Sequence, residues 1–419
     1  MSVLSKTLWV LACLGLGSAR GAGPAVVTAF SMRESYDDNI YLQDDVPLAA
    51  GQTRASLPAN AGAIVTAAGA SVSLGWQSGP ALQVELAYAP EVFRFSRFTT
   101  ENHTDHRFTA SAGGTEGDWR YEAKASWLGT VGSRESPVFN RLGGSPPVGG
   151  EPVRARRSQD ITKVNGRLTR VFPHGFVRGV LALNNQDFHT RERTTYGCAN
   201  YVDRAEWAAG PELGGELRTG FFAVAAIRAG RQQQANLLGV SLNYTNTLTR
   251  WLAGAEGQLA RHWKLSVLAG PDVRTFGPAV RSGFDRHQTT TYWEGNATWT
   301  PTDSDTLTLS GRRCLWLPSG GRNVYVDLLY DLSWKHRFSP EWSAGTGLNQ
   351  HLANTGRYSL TSPRDEAITG ASCAITFAMD SRTKLDFGVA QDWSNTAVPD
   401  TPSRVYHRRI GTIGCTRRW

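Results

Sequence analysis

The feature that most restricts this chain is a two-residue alternation of apolar and polar side chains, sustained over runs of about 10 to 14 residues. In WKLSVLAGPDVRTF, Trp263, Leu265, Val267, Ala269 and Val273 share one face; Lys264, Ser266, Asp272 and Arg274 share the other. VYVDLLYDLSWKHRF sets Val326, Leu328, Tyr330, Leu332 and Trp334 against Asp327, Asp331, Ser333 and Lys335. WRYEAKASW sets Trp119, Tyr121, Ala123 and Trp127 against Arg120, Glu122 and Lys124. KLDFGVAQDW sets Leu385, Phe387, Val389 and Trp393 against Lys384, Asp386 and Asp392. Successive side chains of a strand point to opposite faces, so each run is a strand with one apolar and one ionic face.

A water-soluble sandwich alternates too. Three features point instead to a membrane wall. Trp and Tyr recur at the ends of the apolar faces, where an aromatic girdle meets lipid headgroups. The runs exceed the usual five or six residues and suit a tilted membrane strand. The connections are asymmetric. Tight-turn residues recur at 77–80, 115–118, 173–175, 218–220, 261–262, 301–304, 339–341 and 380–382. The longest polar connections, 39–63, 133–158, 188–203, 276–289 and 394–404, fall between them. One strand out, a long loop and one strand back fit between consecutive short turns. The expected fold is all-β, a transmembrane antiparallel up-and-down β-barrel of about 18 strands. It falls to about 16 if 228–245 is loop. Closure is obligatory, because an unpaired backbone group in hydrocarbon costs several kcal/mol.

Residues 1–21, with Lys6 ahead of an apolar run and small residues after it, read as a secretory signal peptide, and 22–419 as one barrel. No internal composition shift divides the latter. Beyond Cys13, four cysteines stand at 198, 314, 373 and 415 without framework spacing, so they read as free thiols. A net charge of +8 is modest at 419 residues and, in an exported chain, does not imply nucleic acid.

The segment RRIGTIGCTRRW places Ile413, Cys415 and Trp419 at alternate positions and ends on an aromatic residue. With these features the chain resembles Gram-negative outer-membrane β-barrel proteins over essentially all of residues 22–419. ESYDDNIYLQDD, residues 34–45, is similar to the opening of barrels of the porin type. The resemblance implies that Ile413, Cys415 and Trp419 form a signal read by the barrel-assembly machinery. It also implies outer-membrane lipid and lipopolysaccharide as surroundings. Arg417 departs from that pattern, which has an apolar or aromatic residue at its position.

No catalytic set stands out: there is no Gly-x-Ser-x-Gly elbow and no local Ser/His grouping. His103 and His106 could hold a metal only with further ligands, which do not accompany them, so no metal site is expected. Tyr36-Asp37-Asp38-Asn39 with Asp44 and Asp45 lacks calcium-loop spacing and reads as a turn. Arg154, Arg156 and Arg157 read as a solvated loop that could meet anionic solute or lipopolysaccharide. No cofactor is expected.

What remains is the ionic face. The residues Arg120, Glu122, Lys124, Lys163, Arg167, Glu212, Glu216, Lys264, Asp272, Arg274, Asp327, Asp331, Lys335, Lys384, Asp386 and Asp392 are too costly to place in hydrocarbon and are expected to face a lumen. There they either line an aqueous path and set its selectivity or pair across the wall. The expected function is a passive channel for small hydrophilic solutes, or for export of saccharide, and not an enzyme. A closed adhesive or structural barrel acting through its loops is the alternative, and an outer-membrane hydrolase the third. Under this parity Leu328→Arg should impair insertion and Asp327→Arg should not.

Overall fold

The computed structural model describes residues 24–40, 60–131, 158–189, 203–236, 241–317, 324–354, 356, 365–395 and 405–419. The expected signal segment 1–21 lies outside them, as do Asp44, Asp45, Arg154, Arg156, Arg157 and Cys198.

Eighteen strands make one sheet. In chain order they are β1 (Ala25–Asp37), β2 (Ala63–Ser78), β3 (Leu82–Phe95), β4 (His103–Glu116), β5 (Trp119–Val131) and β6 (Ser158–Phe172). Then come β7 (Gly175–Phe188), β8 (Arg204–Arg218), β9 (Phe221–Gln234), β10 (Asn246–Ala260), β11 (Trp263–Phe276) and β12 (His287–Trp299). The last six are β13 (Asp305–Trp316), β14 (Tyr325–Arg337), β15 (Trp342–Asn354), β16 (Asp365–Ala378), β17 (Thr383–Asn395) and β18 (Val405–Arg418). Each strand pairs antiparallel with its neighbour in sequence, and β18 returns to pair with β1 from Ala29↔Arg418 to Asp37↔Ile410. The sheet is therefore a closed up-and-down barrel with no free lateral edge strand. The alternative of sixteen strands is excluded. Its uncertain stretch divides: β9 runs to Gln234, and β10 begins at Asn246.

Every short turn expected from the sequence joins two strands at one end of the barrel, and every long connection lies at the other. Gly117 and Gly220 sit in two of the short turns at φ 56° and 74°, a left-handed backbone that a Cβ would disfavour. Between β16 and β17 the turn is set by a carboxylate. Asp380 accepts backbone N–H bonds from Arg382 at 2.6 Å and Thr383 at 2.7 Å, and these donors hold its carboxyl below the ordinary aspartate value. A group with a depressed folded pKa contributes stability above its unfolded pKa and loses it as pH falls through the folded one. Asp380→Ala should therefore lower the heat-modifiability midpoint at neutral pH, with the difference from wild type shrinking as pH falls through and below the ordinary aspartate range. An unchanged gap at low pH would show that the turn does not depend on the ionised carboxylate.

The seam where the barrel closes carries its own latch. Arg408 donates through Nη2 to Asp37 Oδ2 at 2.5 Å and through Nε to both Asp37 oxygens at 3.1 Å. Asp392 stands 3.6 Å from Arg408 Nη1. Asn39 donates to the His407 carbonyl at 2.9 Å, and the backbone N–H of Arg409 donates to Asp38 Oδ1 at 2.6 Å. The carboxylates of the Tyr36–Asn39 run are thus used to join the first strand to the last.

Candidate functional site in the lumen

Register settles which way each side chain points. On β17, Leu385, Phe387, Val389 and Trp393 lie in the same rows as Cys415, Ile413, Gly411 and His407 of β18, on the outer face. That face carries large exposed apolar side chains all round the wall, among them Met32, Val72, Leu213, Leu348, Val389 and Ile413. Aromatic rings gather toward the short turns: Trp263 stacks on Trp299 with centroids 5.4 Å apart, and Trp342 on Phe377 at 4.5 Å. Guanidiniums join them at the same level. Arg170 lies over Trp119 and Phe172 at 5.7 and 5.3 Å. Arg417 lies 5.8 Å over the Trp419 ring, which is how an arginine is accommodated beside an apolar row. A second set, including Trp207, Trp251 and Trp393, stands toward the loop end. The outside is predominantly apolar between two aromatic belts, and most of the ions are inside.

The chain is a membrane-spanning β-barrel.

All the ionic positions singled out from the sequence fall on the inner face of this barrel, but their surroundings differ. Arg120, Glu122, Lys124 and Arg167 are exposed to the lumen on β5 and β6, with Lys163 half-buried above them. Register sets Arg120 beside Thr169, Glu122 beside Arg167, Lys124 beside Asn165 and Lys163 beside Ser126. None of these five makes an ion pair among the described residues. Lys264, Lys335 and Lys384 are exposed toward the short turns; Asp386 accepts from Thr376 Oγ1 at 2.6 Å; Asp331 is half-buried.

Across β7 to β15 the lumen wall is packed instead. Glu212, 1% exposed, accepts from Arg178 Nε and Arg228 Nη2, each at 2.6 Å. Arg178 also grips both oxygens of Glu256, at 2.8 and 2.7 Å, and Arg228 reaches Glu294 at 2.8 Å. Tyr292 donates its hydroxyl to Glu294 at 2.5 Å. Nearer the loops, Arg274 donates to Asp272 at 2.7 Å and to Gln232 at 2.5 Å, and Gln232 donates to Glu206 at 2.9 Å. Arg250 lies 3.4 Å from both Glu206 and Asp272, over the Tyr292 ring at 4.2 Å. Asp327, fully buried, pairs with His351 and stands 3.6 Å from Arg312. Apolar side chains fill the rows between, Phe176, Val224, Leu252, Leu268 and Tyr325, and the same cluster reaches Ile368 of β16 and Tyr406 of β18.

Removing charges from water is repaid only when partners are close and hydrogen-bonded, and here they are. On this arc the ions hold the wall together. The expectation that Asp327→Arg would be silent is therefore corrected: a second guanidinium would meet Arg312 in place of its carboxylate. Leu328 has a neighbour the sequence did not disclose, since Arg313 faces it across β13 and β14 on the outer wall.

The sequence reading passed over Arg178, Arg228, Arg250, Glu256, Glu294, Arg312 and His351. Each stands at inward parity within its strand, so the signal was available from the same alternation. Their pairing was not, because partners such as Arg228 and Glu294 are 66 residues apart. His103 and His106 lie three residues apart on one strand and so on opposite faces. His103 Nδ1 bonds the Glu101 carbonyl at 2.7 Å and His106 Nδ1 the Tyr88 hydroxyl at 2.8 Å, and no metal could join the two. Among the described residues no three His, Cys, Asp or Glu side chains converge on a metal-sized site. Cys314, Cys373 and Cys415 are free thiols.

No protein-family model and no curated protein matches the chain. Among solved structures it is similar to the outer membrane protein OpdK of Pseudomonas aeruginosa, at 10% identity over 94% of this chain and 99% of that one, TM-score 0.43. It is also similar to OccAB3 of Acinetobacter baumannii, at 9% identity over 94% and 100%, TM-score 0.45. A third likeness is to the siderophore receptor PirA of Acinetobacter baumannii, at 9% identity over 96% and 81%, TM-score 0.43.

Proposed function

We propose that this barrel sits in the outer membrane of a Gram-negative cell and conducts small hydrophilic solutes, preferring anions. The observation that carries this reading is the exposed column on β5 and β6: Arg120, Lys124 and Arg167 against one carboxylate, Glu122. Unpaired and hydrated, these groups raise the local concentration of negative solutes and lower the barrier to their passage. A barrel this wide leaves an aqueous path wherever side chains or loops do not fill it, and the packed arc of β7 to β15 confines that path to the remaining side. Lipopolysaccharide and phospholipid form the surroundings of the apolar belt. The row of Ile413, Cys415 and Trp419 is the surface offered to the barrel-assembly machinery.

Planar-bilayer recording tests this directly. Purified protein should give stable open steps, with a reversal potential in a salt gradient on the anion-selective side. Charge reversal at two exposed sites, Lys124→Glu with Arg167→Glu, should move it toward cations. Selectivity indifferent to this pair would remove β5 and β6 from the path. A silent bilayer would favour the second reading, a closed barrel acting through its loops. One observation supports that reading: buried Tyr325 and Tyr406 close part of the inner wall toward the loop end.

A further inference from the structure

Three cations meet on the inner wall where the end of β13 lies against β8 and β9. The Leu317 carbonyl accepts from Arg204 Nη1 of β8 at 2.8 Å, and the Leu315 carbonyl from Gln232 Nε2 of β9 at 3.3 Å. Between these contacts the Trp316 ring meets two guanidiniums, Arg204 at 4.9 Å and Arg312 at 5.8 Å. The third cation is Lys163 of β6, and the charges that act on it most are those of Arg312 and Arg204. Seven strand spacings separate β6 from β13 along the wall. At about 4.8 Å each that is roughly 34 Å, too far for charges to act along it. Lys163 and Arg312 therefore meet across the lumen.

Like charges brought together in a wall are costly unless counter-charge reaches them. Here the carboxylates within reach are already engaged. Asp327, 3.6 Å from Arg312, is held by His351. Glu206 accepts from Gln232 and lies 3.4 Å from Arg250. Glu294, beside Arg312 in register, accepts from Arg228 and Tyr292. Arg204 donates to neutral oxygens, those of the Gln186 side chain and the Leu317 carbonyl. Lys163 makes no ion pair among the described residues.

Exposure sorts the three. Arg204 is buried, whereas Lys163 is half-buried and the Arg312 side chain is 39% exposed, so a solute in the lumen can touch the last two. An ammonium beside a guanidinium suits an oxyanion, because the planar fork grips two oxygens and the ammonium adds a compact charge. Arg204 strengthens the field from behind without occupying the contact.

We propose that Lys163 and Arg312, backed by Arg204, bind the carboxylate or phosphate group of a solute at this level of the barrel. As a station on a permeation path the site rests on the channel reading; as an anion site it does not.

Heat-modifiability of the purified barrel in detergent tests this, with sodium phosphate or sodium acetate set against sodium chloride at equal ionic strength. A ligand that binds only the folded barrel raises the midpoint by mass action, and the rise should saturate as the site fills. Lys163→Gln breaks no ion pair among the described residues and should weaken the apparent affinity about tenfold, as loss of one charge-assisted hydrogen bond does. Arg261→Gln, exposed in the short turn between β10 and β11, should titrate as wild type does. Saturation by phosphate alone would assign a phosphate-bearing solute, and saturation by acetate also a carboxylate; either upholds the site. An equal rise in all three proteins is a general salt effect and would overturn it, as would no rise beyond that in chloride. Saturable stabilisation of a protein that passes no current would uphold the site and remove the channel. Anion-selective current without stabilisation would do the reverse.

Discussion

Val389→Arg is expected to lose about 2–4 kcal/mol of stability in lipid and to accumulate poorly as folded barrel. Val389 is the seventh of thirteen residues in β17 and 63% exposed on the outer face, which puts it at the middle of the apolar belt. Its cross-strand partners on that face are Cys373 and Gly411, neither of which can pair with a guanidinium. An arginine there must distort the bilayer or snorkel half its thickness. The matching change on the inner face, Lys124→Glu, exchanges one hydrated ion for another and should stay within about 0.5 kcal/mol of wild type. Urea titration in lipid vesicles, followed by tryptophan fluorescence, measures both. Equal losses would mean that the two residues face the same medium, and the assignment of inside and outside would fall.

Glu212→Gln should cost about 3 kcal/mol in the same titration. The carboxylate bridges Arg178 and Arg228. A glutamine keeps the shape but leaves two guanidiniums close together with one negative charge removed. Glu256 and Glu294 still hold the far side of each arginine, which keeps the loss at the lower end of what breaking a buried pair costs. Arg228→Met together with Glu212→Gln removes one of those guanidiniums and should recover part of the deficit, as coupled partners do in a double-mutant cycle. A loss below about 1 kcal/mol for Glu212→Gln alone would show that water reaches these ions and that the arc is not packed.

The reading of the barrel from sequence succeeded where the signal is local. Trp263, Leu265 and Val267 against Lys264 and Ser266 state which face meets lipid without reference to any other strand. The same parity assigns Arg120, Lys124 and Arg167 to the lumen. Short turns were equally legible, because Gly117 or the Asp380 turn is written in three or four residues. The histidine pair shows the converse: adjacency in sequence suggests partnership, while strand geometry sends His103 and His106 to opposite faces.

By itself, then, the sequence determined the wall: a closed barrel of about eighteen strands or sixteen, its inner and outer faces, the end that carries the turns and the end that carries the loops. The period of two and the cost of an open edge in hydrocarbon leave a chain so patterned little else to become. Only the tertiary structure decided what the inner ions do. Arg120 and Asp272 obey the same alternation, yet one is exposed on the inner face and the other is wholly buried between Arg250 and Arg274. That difference arises from residues on strands distant in sequence, brought within 3 to 4 Å by the curvature of the closed sheet. It also arises from the end of β13, which departs from the alternation: Leu315 is wholly buried, and its carbonyl accepts from Gln232 of β9 at 3.3 Å. Neither curvature nor departure is encoded within one strand's pattern, because both depend on how the strands meet across the barrel.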